Sequence, residues 1–101
     1  MLINKYRVFP DTFVYTVFPD TFVIWMPKGA KILSVQFQPT DHPQLWALVN
    51  PDEQPMVNHR FIAVGTGSQL PKEISDFAFV GTFQLPNHLV FHLFDAGEVD
   101  G

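Results

Sequence analysis

His88 and His92 stand four residues apart, and their spacing is the first in this sequence to suggest chemistry. On a helix that interval would bring both imidazoles to one face, within reach of a single ion. The segment that carries them, Asn87-His88-Leu89-Val90-Phe91-His92-Leu93-Phe94, reads instead as a strand. Four residues of strand cover about 13 Å, whereas two ligands of one zinc ion each lie ~2 Å from it. The pair cannot chelate alone, and solvated or hydrogen-bonded strand histidines are the simpler reading. The chain has no cysteine, which removes disulfides, thiolate metal sites and a cysteine nucleophile. The expectation is of no metal and no cofactor.

Nucleophilic catalysis needs a hydroxyl or thiol beside an oriented base. The serines are Ser34, Ser68 and Ser75. Gly65-Thr66-Gly67-Ser68 is not a nucleophile elbow, because its glycines do not bracket the serine. Its plain role is a turn after a strand. The sharper alternative makes Gly65, Thr66 and Gly67 a ligand-binding turn whose backbone cradles a small molecule, although no lysine stands near it. The ten carboxylates include Asp52-Glu53 and those between Asp95 and Asp100. They read as solvated turns and a frayed acidic tail over 95–101. A paired dyad stays open as an alternative, since proximity in space is not visible in a sequence. Trp25, Trp46, Tyr6 and Tyr15 suit a core or an interface better than a pocket. No residue is assigned a catalytic role, and the chain is not expected to be an enzyme.

Charge narrows the partners. The net charge is −4, and six Lys and Arg are scattered along the chain. Nucleic-acid binding needs clustered cations against phosphates, and Lys28 with Lys31 is too little. No run approaches the ~18 apolar residues of a membrane helix, and Met1 to Arg7 contain no signal-like apolar stretch. The expectation is a cytoplasmic protein with neither nucleic acid nor membrane as partner. Hydrophobic residues make up 47% and charged residues 16%, the latter below the usual ~25%. A chain this short has limited interior, so part of the apolar surface is expected to meet another chain.

The elements that must position these residues are strands. Nine prolines and six glycines punctuate short runs rich in Val, Ile, Phe, Thr and Trp. Strands are expected near Ile3–Phe9, Thr21–Met26, Lys31–Gln38, Gln44–Val49, Arg60–Gly65, Phe77–Gln84 and His88–Phe94. Pro71 to Asp76 reads as a short helical turn. Pro27-Lys28-Gly29 is a tight turn, residues 39–43 a wider one, residues 50–55 a polar loop, and Leu85-Pro86-Asn87 closes a last hairpin. Alternation puts Leu33, Val35 and Phe37 on one face, and likewise Phe77, Phe79 and Phe83. In Gln44–Val49 both faces are apolar, which suits a strand inside a sandwich or under a partner. The pattern is all-β: one domain over 1–101, a small antiparallel sandwich or barrel of six to seven short strands.

Val8-Phe9-Pro10-Asp11-Thr12-Phe13-Val14 recurs letter for letter as Val17-Phe18-Pro19-Asp20-Thr21-Phe22-Val23. This is a tandem duplication spanning 8–23. The inserted stretch is strongly β-prone and too apolar for a free loop, so it reads as an extended N-terminal hairpin or arm that alters assembly, with a neutral insertion that lengthens a loop as the alternative. Removing Tyr15 to Val23 is expected to leave a folded domain with a changed oligomeric state.

Met26-Pro27-Lys28-Gly29-Ala30-Lys31-Ile32-Leu33-Ser34-Val35-Gln36 is followed in order by Leu45-Trp46-Ala47-Leu48-Val49, Val64-Gly65-Thr66-Gly67, Val80-Gly81-Thr82-Phe83-Gln84 and Leu89-Val90-Phe91-His92-Leu93-Phe94. As a set, from Tyr6 to Phe94, this resembles a family of small uncharacterised proteins of bacteriophages and bacteria. The resemblance implies origin and a β fold, and carries no site residues. The duplication departs from the family pattern, in which one copy would suffice. The reading that follows is a non-enzymatic, oligomer-forming interaction protein, phage-encoded, in the cytoplasm of a bacterial host. Its expected partner is a second copy of itself through Phe13, Tyr15, Phe18 and Phe22, together with Trp46, Leu48, Ile62 and Val80. The alternative is a binder that sequesters a small host molecule such as a nucleotide signal. A host protein or small molecule is the further partner considered.

Overall fold

The computed structural model describes residues 1–8, 20–38, 43–85 and 88–99. Among the described residues seven strands run in order: β1 (Leu2–Arg7), β2 (Asp20–Pro27), β3 (Lys31–Phe37), β4 (Pro43–Val49), β5 (Met56–Gly65), β6 (Ala78–Gln84) and β7 (Val90–Val99). One 3₁₀ turn, Lys72–Asp76, lies between β5 and β6. The strands form two antiparallel sheets, β1-β4-β3 and β2-β5-β7-β6, which face each other as an open sandwich. The expected positions Phe13, Tyr15 and Phe18, the extra N-terminal strand and most of the first copy of the repeat lie outside the described residues.

The core fills the space between the sheets. Val8, Met26, Val35, Leu45, Phe61, Ala63, Phe83, Leu85, Phe91 and Leu93 form one buried cluster. β4 is the middle strand of its sheet; Leu45, Ala47 and Val49 are buried, and Trp46 and Leu48 are half-buried. The sheets approach most closely where β6 crosses β3. A Cβ on Gly81 would meet Val35 Cγ1 at 3.0 Å, so glycine lets the two backbones come together there.

Three bulges break the alternation among the described residues. In β3, Ile32 pairs with Ala47 and Ser34 with Trp46, leaving Leu33 as the extra residue, 42% exposed. Leu33 therefore leaves the face it was expected to share with Val35 and Phe37. In β6 the extra residue is Val80, so Phe83 points into the core while Phe79 is 59% exposed. In β7 it is Ala96, followed by Gly97 at φ +90°. β7 also runs on to Val99, paired with β5 from Asn58 to Gly65. Residues 95–99 are thus paired strand, not the frayed tail expected from their acidity: a bulge carries the chain past Asp95 and the ladder resumes.

Candidate functional site

The Gly65-Thr66-Gly67-Ser68 turn closes β5. Ser68 N donates to Gly65 O at 3.0 Å, and Gly67 takes φ +89°, a conformation open to glycine. Thr66 N donates to Val90 O at 3.0 Å, which ties the turn to the start of β7. Opposite lies the β6–β7 hairpin. Leu85 N donates to Leu89 O, and His88 N to Leu85 O, with His88 at φ +69°. Histidine tolerates that left-handed region better than most side chains.

A cleft of about 290 Å³ opens between turn and hairpin. It is lined by Gly65, Thr66 and Ser68 from the turn and by His88, Leu89, Val90 and Phe91 from the hairpin and the start of β7. Two of the three turn residues singled out from the sequence, Gly65 and Thr66, are thus brought to a cleft; Gly67 shapes the turn without lining it. None of the six Lys and Arg side chains lines it.

His92 stands beside this cleft on the outer face of the four-stranded sheet. Its Nε2 lies 2.8 Å from Thr66 Oγ1 and its Nδ1 2.9 Å from Thr82 Oγ1. Both ring nitrogens are engaged by hydroxyls, so His92 serves as a bridge between threonines. Among the described residues no three His, Asp or Glu side chains group so as to hold a metal ion.

A second polar pair was not singled out from the sequence. His59 on β5 is buried, stacked on Phe61 at 4.9 Å, with its Nε2 2.6 Å from Asp95 Oδ1. The Gly97 N–H also donates to Asp95 Oδ1, at 2.8 Å. Burial alone would push the Asp95 carboxyl up. The His59 hydrogen bond, the Gly97 N–H and the charge of His59 when protonated together outweigh burial, and the carboxyl lies below its ordinary value. His59 Nδ1 is buried without a hydrogen-bond partner among the described residues. This pair pins the β7 bulge.

Apolar side chains collect on the outer face of the same sheet. Register puts Asn58 between Trp25 and Val99, Val23 beside Arg60, and Phe79 beside Phe94. Trp25 and Phe79 are each 59% exposed, Val23 51% and Val99 40%. Phe79 meets Phe94 edge-on at 5.4 Å, and the Arg60 guanidinium lies 5.9 Å from the Phe77 ring centroid. Of the expected contact residues, Ile62 sits on this same face, paired with Phe94, but is only 5% exposed, and Phe22 and Val80 pack against the core. Strand alternation sends Phe22 inward, and the bulge turns Val80 inward. Trp46 and Leu48 remain half-buried on the other sheet.

A model of a domain of unknown function, DUF7352, matches residues 10–100. The chain belongs to the DUF7352 family. The match covers β2 to β7 and so takes in both the cleft and the apolar face of the DUF7352 domain. No curated protein and no solved structure matches it. No helix among the described residues is long and apolar enough to cross a membrane.

Proposed function

We propose that this DUF7352 domain is a non-enzymatic interaction module whose partner is a second copy of itself, met through the outer face of the β2-β5-β7-β6 sheet. The observation that carries the reading is the placing of Val23 and Trp25 on one edge strand of that sheet and Phe79 on the other, all more than half exposed. Among the described outward positions of these strands, Arg60 is the one Lys, Arg, Asp or Glu side chain, and it rests on Phe77. A two-fold axis in the interface, parallel to the strands, lays β2 of one copy over β6 of the other. Each apolar rim is then covered twice by one isologous contact, with the sheets packed ~10 Å apart. Face-to-face burial of aromatic side chains is the usual energetic core of such contacts.

The origin and setting belong to the same reading: a phage-encoded protein in the cytoplasm of a bacterial host. The motif set shared with small phage and bacterial proteins and the lack of cysteine support it. The test is Trp25→Glu. The side chain is exposed, so the fold should survive, and sedimentation velocity should show the oligomer replaced by an 11.5 kDa species. A variant with the wild-type mass would contradict the proposed face. One observation favours a second reading, a small-ligand binder: the cleft beside Thr66.

A further inference from the structure

The cleft has the chemistry of a recognition site. Its lining joins apolar Leu89, Val90 and Phe91 to Thr66, Ser68 and His88, whose side chains can hydrogen-bond. Such a division suits a small ligand with an apolar body and one polar edge. About 290 Å³ exceeds the roughly 150 Å³ that holds a benzene ring, so a fused bicycle fits. No lysine or arginine reaches the site to pair with an anionic group, and the chain's net charge of −4 opposes anions generally. A phosphorylated or carboxylated ligand would leave its charge unpaired there.

Thr66 is the group whose direction is set from behind. If His92 carries its proton on Nε2, the ring donates to Thr66 Oγ1, and the Thr66 hydrogen is free to point into the cleft. Thr82 then donates to Nδ1. If the proton sits on Nδ1, the ring donates to Thr82, and Thr66 spends its hydrogen on Nε2. The competing acceptor for Thr66, Val90 O, is 3.4 Å away and weak. A ligand that offers an acceptor to Thr66 therefore selects the Nε2–H form of His92.

We infer that the cleft between the Gly65–Ser68 turn and the β6–β7 hairpin binds a small, uncharged heteroaromatic ligand, and that the Thr66 hydroxyl, directed by His92 and Thr82, recognises its ring-nitrogen acceptor. This deepens the ligand-binding reading and rests on it; it does not depend on self-association.

The experiment is an NMR titration of the ¹⁵N-labelled chain at pH 7.5 with three probes: benzimidazole, indole and benzimidazole-5-carboxylate. Indole keeps the bicycle and loses the acceptor nitrogen; the carboxylate adds a charge. Benzimidazole should shift the Gly65, Thr66 and Ser68 amides saturably and move the His92 ring-nitrogen shifts toward the Nε2–H form. Indole and the carboxylate should bind at least several-fold more weakly. Thr66→Val, which keeps the side-chain shape, should weaken benzimidazole about tenfold, as loss of one hydrogen bond to a buried acceptor does. Equal or tighter binding of indole or the carboxylate would overturn the ligand class while leaving a ligand site. Unchanged affinity in Thr66→Val, or an unmoved His92 ring, would overturn the role of Thr66. No saturable shift with any probe to about 10 mM, where a ligand of this size with even low efficiency binds, would overturn the ligand reading itself.

Discussion

Asp95→Ala removes one carboxylate oxygen that accepts two hydrogen bonds, from His59 Nε2 at 2.6 Å and from Gly97 N at 2.8 Å. Hydrogen bonds to a charged acceptor contribute roughly 1.5–3 kcal/mol each. The Gly97 N–H is only partly buried and regains water in the variant, so its share is the smaller. His59 does not: its side chain is 5% exposed and its Nδ1 already lacks a partner among the described residues, so the ring would be left with no described partner at either nitrogen. The loss should total about 3 kcal/mol, in line with breaking a buried pair on one side, and lower Tm by roughly 15 °C for a domain of this size. Asp95→Asn keeps an acceptor without the charge and should lose about 1 kcal/mol. The sign with pH follows from the lowered carboxyl pKa. A depressed Asp contributes stability that is present above its unfolded value near ~3.9 and is lost as pH falls through the folded value. The gap between wild type and Asp95→Asn should therefore narrow from pH 7 to pH 3. Urea unfolding at both pH values, at matched protein concentration, measures it. A loss below about 0.5 kcal/mol for Asp95→Ala at pH 7, small even for a surface change, or a gap that does not change with pH, would refute the reasoning.

Two further outcomes follow from the fold. Gly81→Ala places a Cβ 3.0 Å from Val35 Cγ1, and Val35 is buried and stiff at χ1. An overpacking cost of ~1–3 kcal/mol outweighs the ~0.5–1 kcal/mol recovered by replacing a strand glycine; thermal unfolding should show a fall of several degrees, smaller when Val35→Ala is added, and a rise in Tm would contradict the close crossing. Deleting Tyr15 to Val23 joins Val14 to Ile24 and puts Thr12, Phe13 and Val14 where Thr21, Phe22 and Val23 lay in β2; circular dichroism should show a folded β domain, the change of oligomeric mass expected from the sequence is read by sedimentation in the same samples, and a variant that fails to fold would make the duplication integral to the core.

All seven strands were legible because each is a short β-branched or aromatic run between turn residues. The bulges were not, since alternation is read on the assumption of an unbroken pleat. Leu33, Val35 and Phe37 share a face in any regular strand, and one extra residue moves Leu33 out. The same error put Phe79 with Phe83. Gly97 was the available signal in β7: a glycine inside a strand pattern often marks a bulge. The His59–Asp95 pair was also within reach. His59 is in phase with Phe61 and Ala63, and Asp95 with Phe91 and Leu93, so carrying each alternation two residues further sets both on the core face. The cleft was half legible. The turn was visible at Gly65 and Thr66, but the hairpin that faces it and the His92 bridge join residues 10 to 26 positions apart, and pairing across a sheet is not written in local spacing. That Phe22 and Val80 pack against the core was hidden for the same reason, because which of two apolar sides meets the other sheet depends on register and on where a bulge falls.

The most direct measurement is sedimentation equilibrium of the wild-type chain across the micromolar range. Self-association through the outer face of the four-stranded sheet predicts a mass that rises with concentration toward at least twice 11.5 kDa. A single 11.5 kDa species at every concentration would contradict it.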